Sequence, residues 1–191
     1  MRHTVRMSAA LVVIDVQQEY FDGALPIVHP DRHDVLARVV ECMRTAHAAG
    51  LPVVVVQHAE PGEDTPIFRE GSPMFALHPA VEAEHRDLLF TKHYPGSFTG
   101  TPLADFVAER GVDELVICGF MTHMCCDSTA RQAAHRDLAA VVLSDATGTI
   151  DLEAPDGSPV PARQVHDTEL AVLASGFARV MDAASWMASA R

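Results

Sequence analysis

Two adjacent cysteines, Cys125 and Cys126, stand where an apolar run gives way to a helical pattern in the segment GFMTHMCCDSTARQA. We expect Thr122 to cap that helix, so that Cys125 lies in the first turn, where backbone N–H groups and the helix dipole favour a thiolate. Cys126 shares a helix face with the alanines that follow at helical spacing, the face expected to pack against a sheet. Cys125, about 100° around the helix, is therefore the candidate nucleophile, with inert packing as the alternative.

A carboxylate and an amine follow other apolar runs. Asp15 comes after four apolar residues in LVVIDVQ, where a buried charge is costly without a partner, and Lys92 ends LLFTK. Beside a thiol, Asp15 can act as general base and then as general acid, while Lys92 offsets the negative charge and favours the thiolate. The alternatives are a structural hydrogen-bond acceptor for Asp15 and a solvated lysine at a strand end for Lys92.

Short apolar runs alternate with helical patterns along the chain. The predicted strands cover residues 9–16, 51–57, 88–92, 114–119, 138–144 and 178–181, and the predicted helices cover 34–49, 101–110, 124–135, 163–174 and a terminal segment with Trp186. This alternation predicts a parallel sheet covered on both faces, an α/β domain of three layers. Such sheets bind ligands at the carboxyl ends of their strands, where Asp15, Lys92 and Cys125 would meet.

The composition narrows the class of partner. The 191 residues suit one domain over 1–191, and the net charge of −12 makes nucleic acid and anionic membranes poor partners. No apolar run reaches the length of about 18 residues that a membrane-spanning helix needs, and the apolar start is interpreted as a first strand rather than a signal peptide. Four cysteines form no disulfide framework, which favours the cytoplasm.

Four blocks in order carry a family resemblance: VVIDVQQEYF at 12–21, TKHYPGSFTGTPL at 91–103, ICGFMTHMCCDSTARQAA at 117–134 and SDATGT at 144–149. The chain resembles the isochorismatase-like cysteine hydrolase superfamily, and the blocks span most of it. The resemblance implies a three-layer α/β/α sandwich with a six-stranded parallel sheet and a catalytic triad of Asp15, Lys92 and Cys125. In the family pattern Thr-x-x-Cys-Val-x-x-Thr-Ala, Cys126 takes the place of the valine, which agrees with the helix-face argument.

The resemblance also implies how the reaction would proceed. It suggests a cis peptide between Phe120 and Met121, with the Met121 and Cys125 amides forming an oxyanion hole. Losing one such donor typically slows a reaction by about 100-fold to 1000-fold. The implied route is attack of the Cys125 thiolate on a carbonyl, departure of an amine protonated by Asp15, and hydrolysis of the thioester by water.

Departures from the family patterns select among its branches. Nicotinamidases carry an Asp-x-His metal motif after the second strand, but Gln57 and Ala59 stand there, and most of the eleven histidines occur singly. We therefore expect no metal and no cofactor. Isochorismatases cleave a vinyl ether without needing the cysteine, so Cys125 favours hydrolysis of a C–N bond in a small amide, lactam or ureido compound. The alternatives are a vinyl-ether hydrolase and a non-catalytic ligand-binding or thiol-redox protein.

The remaining predictions concern the pocket and the assembly. Candidate substrate-binding residues combine aromatic and polar side chains near the expected rim: Gln17, Tyr20, Phe21, Tyr94, Phe98, His123 and Met124. We assign His166 and Asp145 to structural hydrogen bonding. The family resemblance implies a homodimer or larger homo-oligomer acting on a small-molecule substrate.

Overall fold

A computed structural model describes residues 8–62 and 64–190. Its main sheet is built from β1 (Ala9–Ile14), β2 (Val53–His58), β3 (Leu88–Lys92), β4 (Glu114–Phe120), β5 (Ala139–Gly148) and, after a small hairpin of β6 (Leu152–Glu153) and β7 (Pro159–Val160), β8 (Arg179–Met181). The strand order is β3-β2-β1-β4-β5-β8, and every pairing is parallel. The predicted six-stranded parallel sheet is confirmed.

Helices cover both faces of this sheet. They are α1 (Arg32–Ala48), α2 (Pro79–Glu82), α3 (Leu103–Arg110), α4 (Asp127–Ala134), α5 (Ala162–Ala174) and α6 (Ala183–Ser189). Apolar residues of α1 and α6 pack on one face, and those of α3, α4 and α5 pack on the other. The three-layer α/β/α arrangement follows, because both faces of the continuously apolar strands need cover.

The strands and α1 form for local reasons that the sequence already carries. All six residues of β1 are buried, as expected for a central strand between two helical layers. Helix α1 buries apolar residues at helical spacing, its N-terminal amides are capped by the Asp31 carboxylate, and Gly50 follows its end with a φ of 71°. The parallel register of β1 with β2 then places their carboxyl ends at a common rim.

The structure corrects two element boundaries near that rim. β5 continues to Gly148, beyond the predicted end at 144, with an irregular register against β4 between Ile117 and Gly119. The bulge allows a polar segment, SDATG, to stay in the sheet, since its side chains need not follow the alternation of a regular strand. The predicted helix from 124 to 135 instead begins as a π-helical turn, Thr122–Cys126, and continues as α4.

Candidate active site

Asp15, Lys92 and Cys125 meet at the carboxyl edge of the sheet. The Lys92 Nζ lies 2.8 Å from Asp15 Oδ2 and 3.2 Å from Cys125 Sγ. The three residues are buried, with exposures of 0%, 1% and 6% in the order Asp15, Lys92, Cys125. The sequence therefore predicted three side chains that the fold does bring into contact, and their role in catalysis stays a prediction.

Local backbone geometry aims Asp15 at this edge. Asp15 follows β1 directly and has a φ of 52°, in the left-handed region that non-glycine residues rarely adopt, while its amide donates to the Val56 carbonyl at 2.9 Å. Neither of its buried carboxylate oxygens accepts a well-aligned hydrogen bond from the residues described. The carboxylate is held by its ionic contact with Lys92 and remains able to accept a proton.

Gly119 permits the close approach of β4 to β1. Its φ is 109°, and a Cβ atom built there would lie 2.0 Å from the carbonyl oxygen of Ile14. Only a glycine fits between the two strands at this point. The approach brings the turn that carries Cys125 beside Asp15, which follows Ile14.

The surroundings of Cys125 bear on the predicted thiolate. Burial raises the pKa of the Cys125 thiol well above its usual value, Asp15 raises it further, and Lys92 only partly opposes them. Burial lowers the pKa of Lys92, but Asp15 and Cys125 raise it by more, so the ammonium is retained. Burial and Asp15 therefore oppose the thiolate that the helix turn was expected to favour, and the Lys92 ammonium favours it only in part.

The turn before α4 is not capped as predicted. Thr122 makes no cap, and its Oγ1 is instead 2.9 Å from the Nδ1 of His166. The Met121 carbonyl accepts hydrogen bonds from the amides of Met124 at 3.1 Å and Cys126 at 3.2 Å. A buried threonine thus ties the turn to α5, and the helix-cap interpretation fails because a tertiary partner takes the hydroxyl.

The backbone before Cys125 has one feature that the family resemblance implied. The peptide between Phe120 and Met121 is cis, as predicted. Among the backbone contacts of the described residues outside helices and strands, the Met121 N–H donates no hydrogen bond. The oxyanion hole formed by the Met121 and Cys125 amides stays a prediction.

Sequence reasoning missed His58, which also contacts the triad. Its Nδ1 lies 3.2 Å from Lys92 Nζ, and its Nε2 lies 3.1 Å from Glu60 Oε1. The contact arises because His58 and Lys92 are register partners at the ends of β2 and β3. A single histidine at a strand end gave no signal by itself, but the parallel pairing of β2 with β3 would have placed it beside Lys92.

Four of the predicted substrate-binding residues serve packing or backbone contacts. Gln17 uses both ends of its amide on backbone groups, donating to the carbonyls of His58 and Phe75 and accepting from the His58 amide. The ring of Phe21 packs 5.9 Å from that of Phe120, and Phe98 lies beneath the guanidinium of Arg136. His123 pairs with the Thr149 hydroxyl. These four side chains, which the sequence analysis assigned to substrate binding, therefore all have contacts within the protein.

The other three candidates differ in burial. Tyr20 is buried against Phe68 and Phe120, with ring centroids 5.1 Å and 5.4 Å away. Burial, Cys125 and then Asp15 raise the pKa of its phenol, which keeps the hydroxyl protonated beside the site. Tyr94 and Met124 are exposed, and their contact with a ligand stays a prediction.

The assignments of His166 and Asp145 to structural hydrogen bonds are confirmed. His166 Nε2 lies 3.0 Å from the Ser144 carbonyl, and Asp145 accepts from the Ala183 amide at 2.7 Å. Burial lowers the pKa of His166, consistent with a neutral ring between two polar partners. Across residues 8–62 and 64–190, no three metal-binding side chains come together, and no helix is long and apolar enough to cross a membrane.

Comparison with known proteins gives the family. The family model named isochorismatase domain matches residues 9–185 of this chain. The chain belongs to the isochorismatase family. A crystal structure of an isochorismatase-family protein from Burkholderia xenovorans LB400 is 42% identical, with a TM-score of 0.93 over 96% of this chain and 88% of that one.

Family members with named activities are also similar. A streptothricin hydrolase of Streptomyces noursei is 36% identical over 83% of this chain and 62% of its own length. A ureidoacrylate amidohydrolase of Methylobacterium radiotolerans is 28% identical over 92% of this chain and 77% of its own. The chain is accordingly a hydrolase of the isochorismatase family.

Proposed function

We propose that this isochorismatase-family hydrolase cleaves a C–N bond of a small amide, lactam or ureido compound through a thioester on Cys125. The contact of a buried carboxylate, ammonium and thiol carries the proposal, since none of these groups gains from burial unless the others are present. The names of two relatives, a streptothricin hydrolase and a ureidoacrylate amidohydrolase, support hydrolysis of this kind. Neither compound is assigned to this chain.

The first chemical step moves one proton and forms one bond. Asp15, whose oxygens lack well-aligned hydrogen bonds, takes the proton of the Cys125 thiol as the sulfur attacks the substrate carbonyl carbon. Because burial raises the pKa of the Cys125 thiol, the proton stays on the thiol until substrate binds. The Lys92 ammonium stabilises the developing negative charge at 3.2 Å from the sulfur.

The tetrahedral intermediate then collapses. Its oxygen anion is held by the N–H groups of Met121 and Cys125, and the protonated Asp15 gives its proton to the departing nitrogen. The C–N bond breaks, the amine leaves, and a thioester remains on Cys125. Water, deprotonated by Asp15, attacks the thioester and releases the acid together with the thiol, so that the enzyme returns to its starting state.

The walls of the pocket form part of the same proposal. Tyr20 is the candidate we favour for contact with substrate: it is buried, and burial first, then Cys125 and Asp15, raise the pKa of its phenol, so its hydroxyl remains a donor. His123 and Met124 belong to the π-helical turn that carries Cys125, and Met124 is exposed at its outer side. Substitution of Tyr20 by Phe tests this assignment through the KM of any substrate found.

The test is a library of small amides, lactams and ureido compounds assayed for ammonia or amine release, with Cys125→Ala as control. We expect the wild type to hydrolyse at least one compound and Cys125→Ala to hydrolyse none. Isochorismate is included as a separate arm. Cleavage of isochorismate that persists in Cys125→Ala would overturn the proposal in favour of vinyl-ether hydrolysis, and turnover of peroxide in place of amides would favour a redox protein.

A further inference from the structure

The Lys92 ammonium is almost completely buried, so each of its three N–H groups needs an acceptor. The Asp15 carboxylate offers an ionic contact at 2.8 Å, and the Cys125 sulfur accepts a hydrogen bond at 3.2 Å. The third is the Nδ1 of His58, at 3.2 Å. His58 therefore completes the surroundings of the one cation in the triad.

This geometry fixes the protonation of His58. An ammonium can only donate, so the Nδ1 that faces Lys92 must carry a lone pair and no proton. The neutral ring then carries its proton on Nε2, which donates to Glu60 Oε1 at 3.1 Å. An imidazolium would instead point an N–H group at the ammonium, and the contact would be lost.

The ring of His58 has little freedom to turn away. Gln17 clamps the backbone of His58 on both sides, accepting from its N–H at 2.7 Å and donating to its carbonyl at 3.0 Å. The ring of Phe68 stands against the imidazole with centroids 5.3 Å apart. The position of the imidazole is thus set by β2 and by packing, independently of Lys92.

We propose that His58 is a positioning residue whose neutral Nδ1 holds the Lys92 ammonium between Asp15 and Cys125, and that protonation of His58 releases it. The inference rests on the proposed cysteine hydrolase chemistry only for its effect on turnover. The charged groups that face the imidazole are Lys92 from β3 and Glu60 beyond the end of β2, with Asp15 and Cys125 behind Lys92. Glu60 is 41% exposed and lines an open cleft of about 440 Å³, which gives the Nε2 side access to solvent protons.

The tautomer is read directly by NMR of protein labelled with ¹⁵N at histidine, with His58→Asn used to assign the signals. At neutral pH we expect Nε2 to carry the proton and Nδ1 to show the shift of an unprotonated nitrogen. A proton on Nδ1, or an imidazolium at neutral pH, would overturn the proposal whatever the enzyme's substrate is.

Function is tested with a pair of substitutions at the same position. In His58→Asn the side-chain oxygen can replace Nδ1 as an acceptor but cannot be protonated, whereas His58→Leu offers no acceptor. For an amide that the wild type hydrolyses, we expect His58→Leu to lower kcat about 100-fold with little change in KM, because the ammonium is misplaced. We expect His58→Asn to recover most of that loss.

The pH profile separates positioning from a merely structural role. Other groups can also lower activity in acid, so the comparison is made between variants. The acid loss of activity in the wild type should begin at a higher pH than in His58→Asn, which has no imidazole to protonate. Identical acid limbs in the two proteins would contradict the proposal.

A substrate-independent readout keeps the two proposals apart. The rate of Cys125 alkylation by iodoacetamide reports how well Lys92 stabilises the thiolate, and we expect His58→Leu to slow it about tenfold at neutral pH. His47→Asn, on the exposed face of α1, is the matched control and should leave the rate unchanged. If no amide is hydrolysed but alkylation still depends on His58 in this way, the proposed function fails and the positioning role stands. An unchanged alkylation rate in folded His58→Leu removes the positioning role alone.

Discussion

The strands of the central sheet bury two kinds of side chain in direct succession. From Leu11 to Ile14 β1 is apolar and without exposure, and the next residue, Asp15, is just as deeply buried. Burial stabilises the apolar layer by about 25 cal/mol for each Å² removed from water, but it penalises a charge that lacks partners. Burial by itself therefore stabilises the apolar residues of β1, whereas the buried charged groups are stable only in contact with one another.

The adjacent cysteines repeat this contrast over one peptide bond. Cys126 is fully buried in the apolar layer between α4 and the sheet, while Cys125 lies 3.2 Å from the Lys92 ammonium. Both cysteines belong to the same buried apolar cluster, but only Cys125 also contacts the ammonium, so substitutions at the two positions should differ in their effect on activity. The predictions below test this contrast, in order of decreasing effect.

The largest effect is expected from removal of the Cys125 sulfur. Cys125→Ala should lower kcat/KM about 10,000-fold or more, since the nucleophile is lost, and should cost about 1 kcal/mol of stability because a buried sulfur is removed. The matched variant Cys126→Ala should keep activity and lose about 1 kcal/mol of stability through the space it leaves. Steady-state kinetics and urea denaturation of both proteins measure the contrast, and equal activities in the two would remove Cys125 from the mechanism.

The ion pair of Asp15 and Lys92 should be sensitive to loss of one partner. Lys92→Met leaves the buried Asp15 carboxylate without its cation and should cost about 3–5 kcal/mol in the free energy of unfolding. In Lys92→Met combined with Asp15→Asn the uncompensated charge is absent, so much of that stability should return although activity stays lost. Chemical denaturation tests both proteins, and a double variant no more stable than the single one would show that the pair is not mutually dependent.

The close approach of β4 to β1 should be sensitive to an added Cβ atom. Gly119→Ala places a methyl group 2.0 Å from the Ile14 carbonyl oxygen at a φ of 109° and should cost about 3 kcal/mol, with loss of activity as the strands separate. Gly100→Ala is the control, because its φ is 67° but nothing lies within 4 Å of the added Cβ. Its cost should be about 1 kcal/mol. Thermal unfolding of the two variants distinguishes crowding from backbone conformation.

The smallest effect, taken per pH unit, concerns the buried thiols. Burial, followed by the nearby Asp145 and Glu41 carboxylates, raises the pKa of Cys42 from 9.0 to about 12. The folded state therefore holds the proton that the unfolded chain releases, so the stabilisation is present below pH 9 and is lost as pH rises towards 12. The free energy of unfolding should fall by about 1.4 kcal/mol per pH unit for each such thiol, and Cys42→Ala should reduce that slope.

Much of this fold follows from local pattern. The strands ending at Asp15 and Lys92 were predictable because their apolar runs are continuous, and Cys126 was assigned to the core by its spacing from the alanines of α4. The extension of β5 to Gly148 was not predictable, since SDATG lacks strand periodicity and stays in the sheet through a bulge against β4. Thr122 carried the signature of a helix cap, but His166, distant along the chain, takes its hydroxyl.

The sequence by itself determined which side chains stand at the ends of the strands, because the period of apolar residues sets where each strand begins and ends. Only the tertiary structure decided which of them touch and what charge they carry. Strand register places His58 beside Lys92, and burial and Asp15 raise the pKa of the Cys125 thiol although its position in a first turn favours a thiolate. Contacts and solvation depend on distances between segments far apart along the chain, and no local pattern encodes those distances.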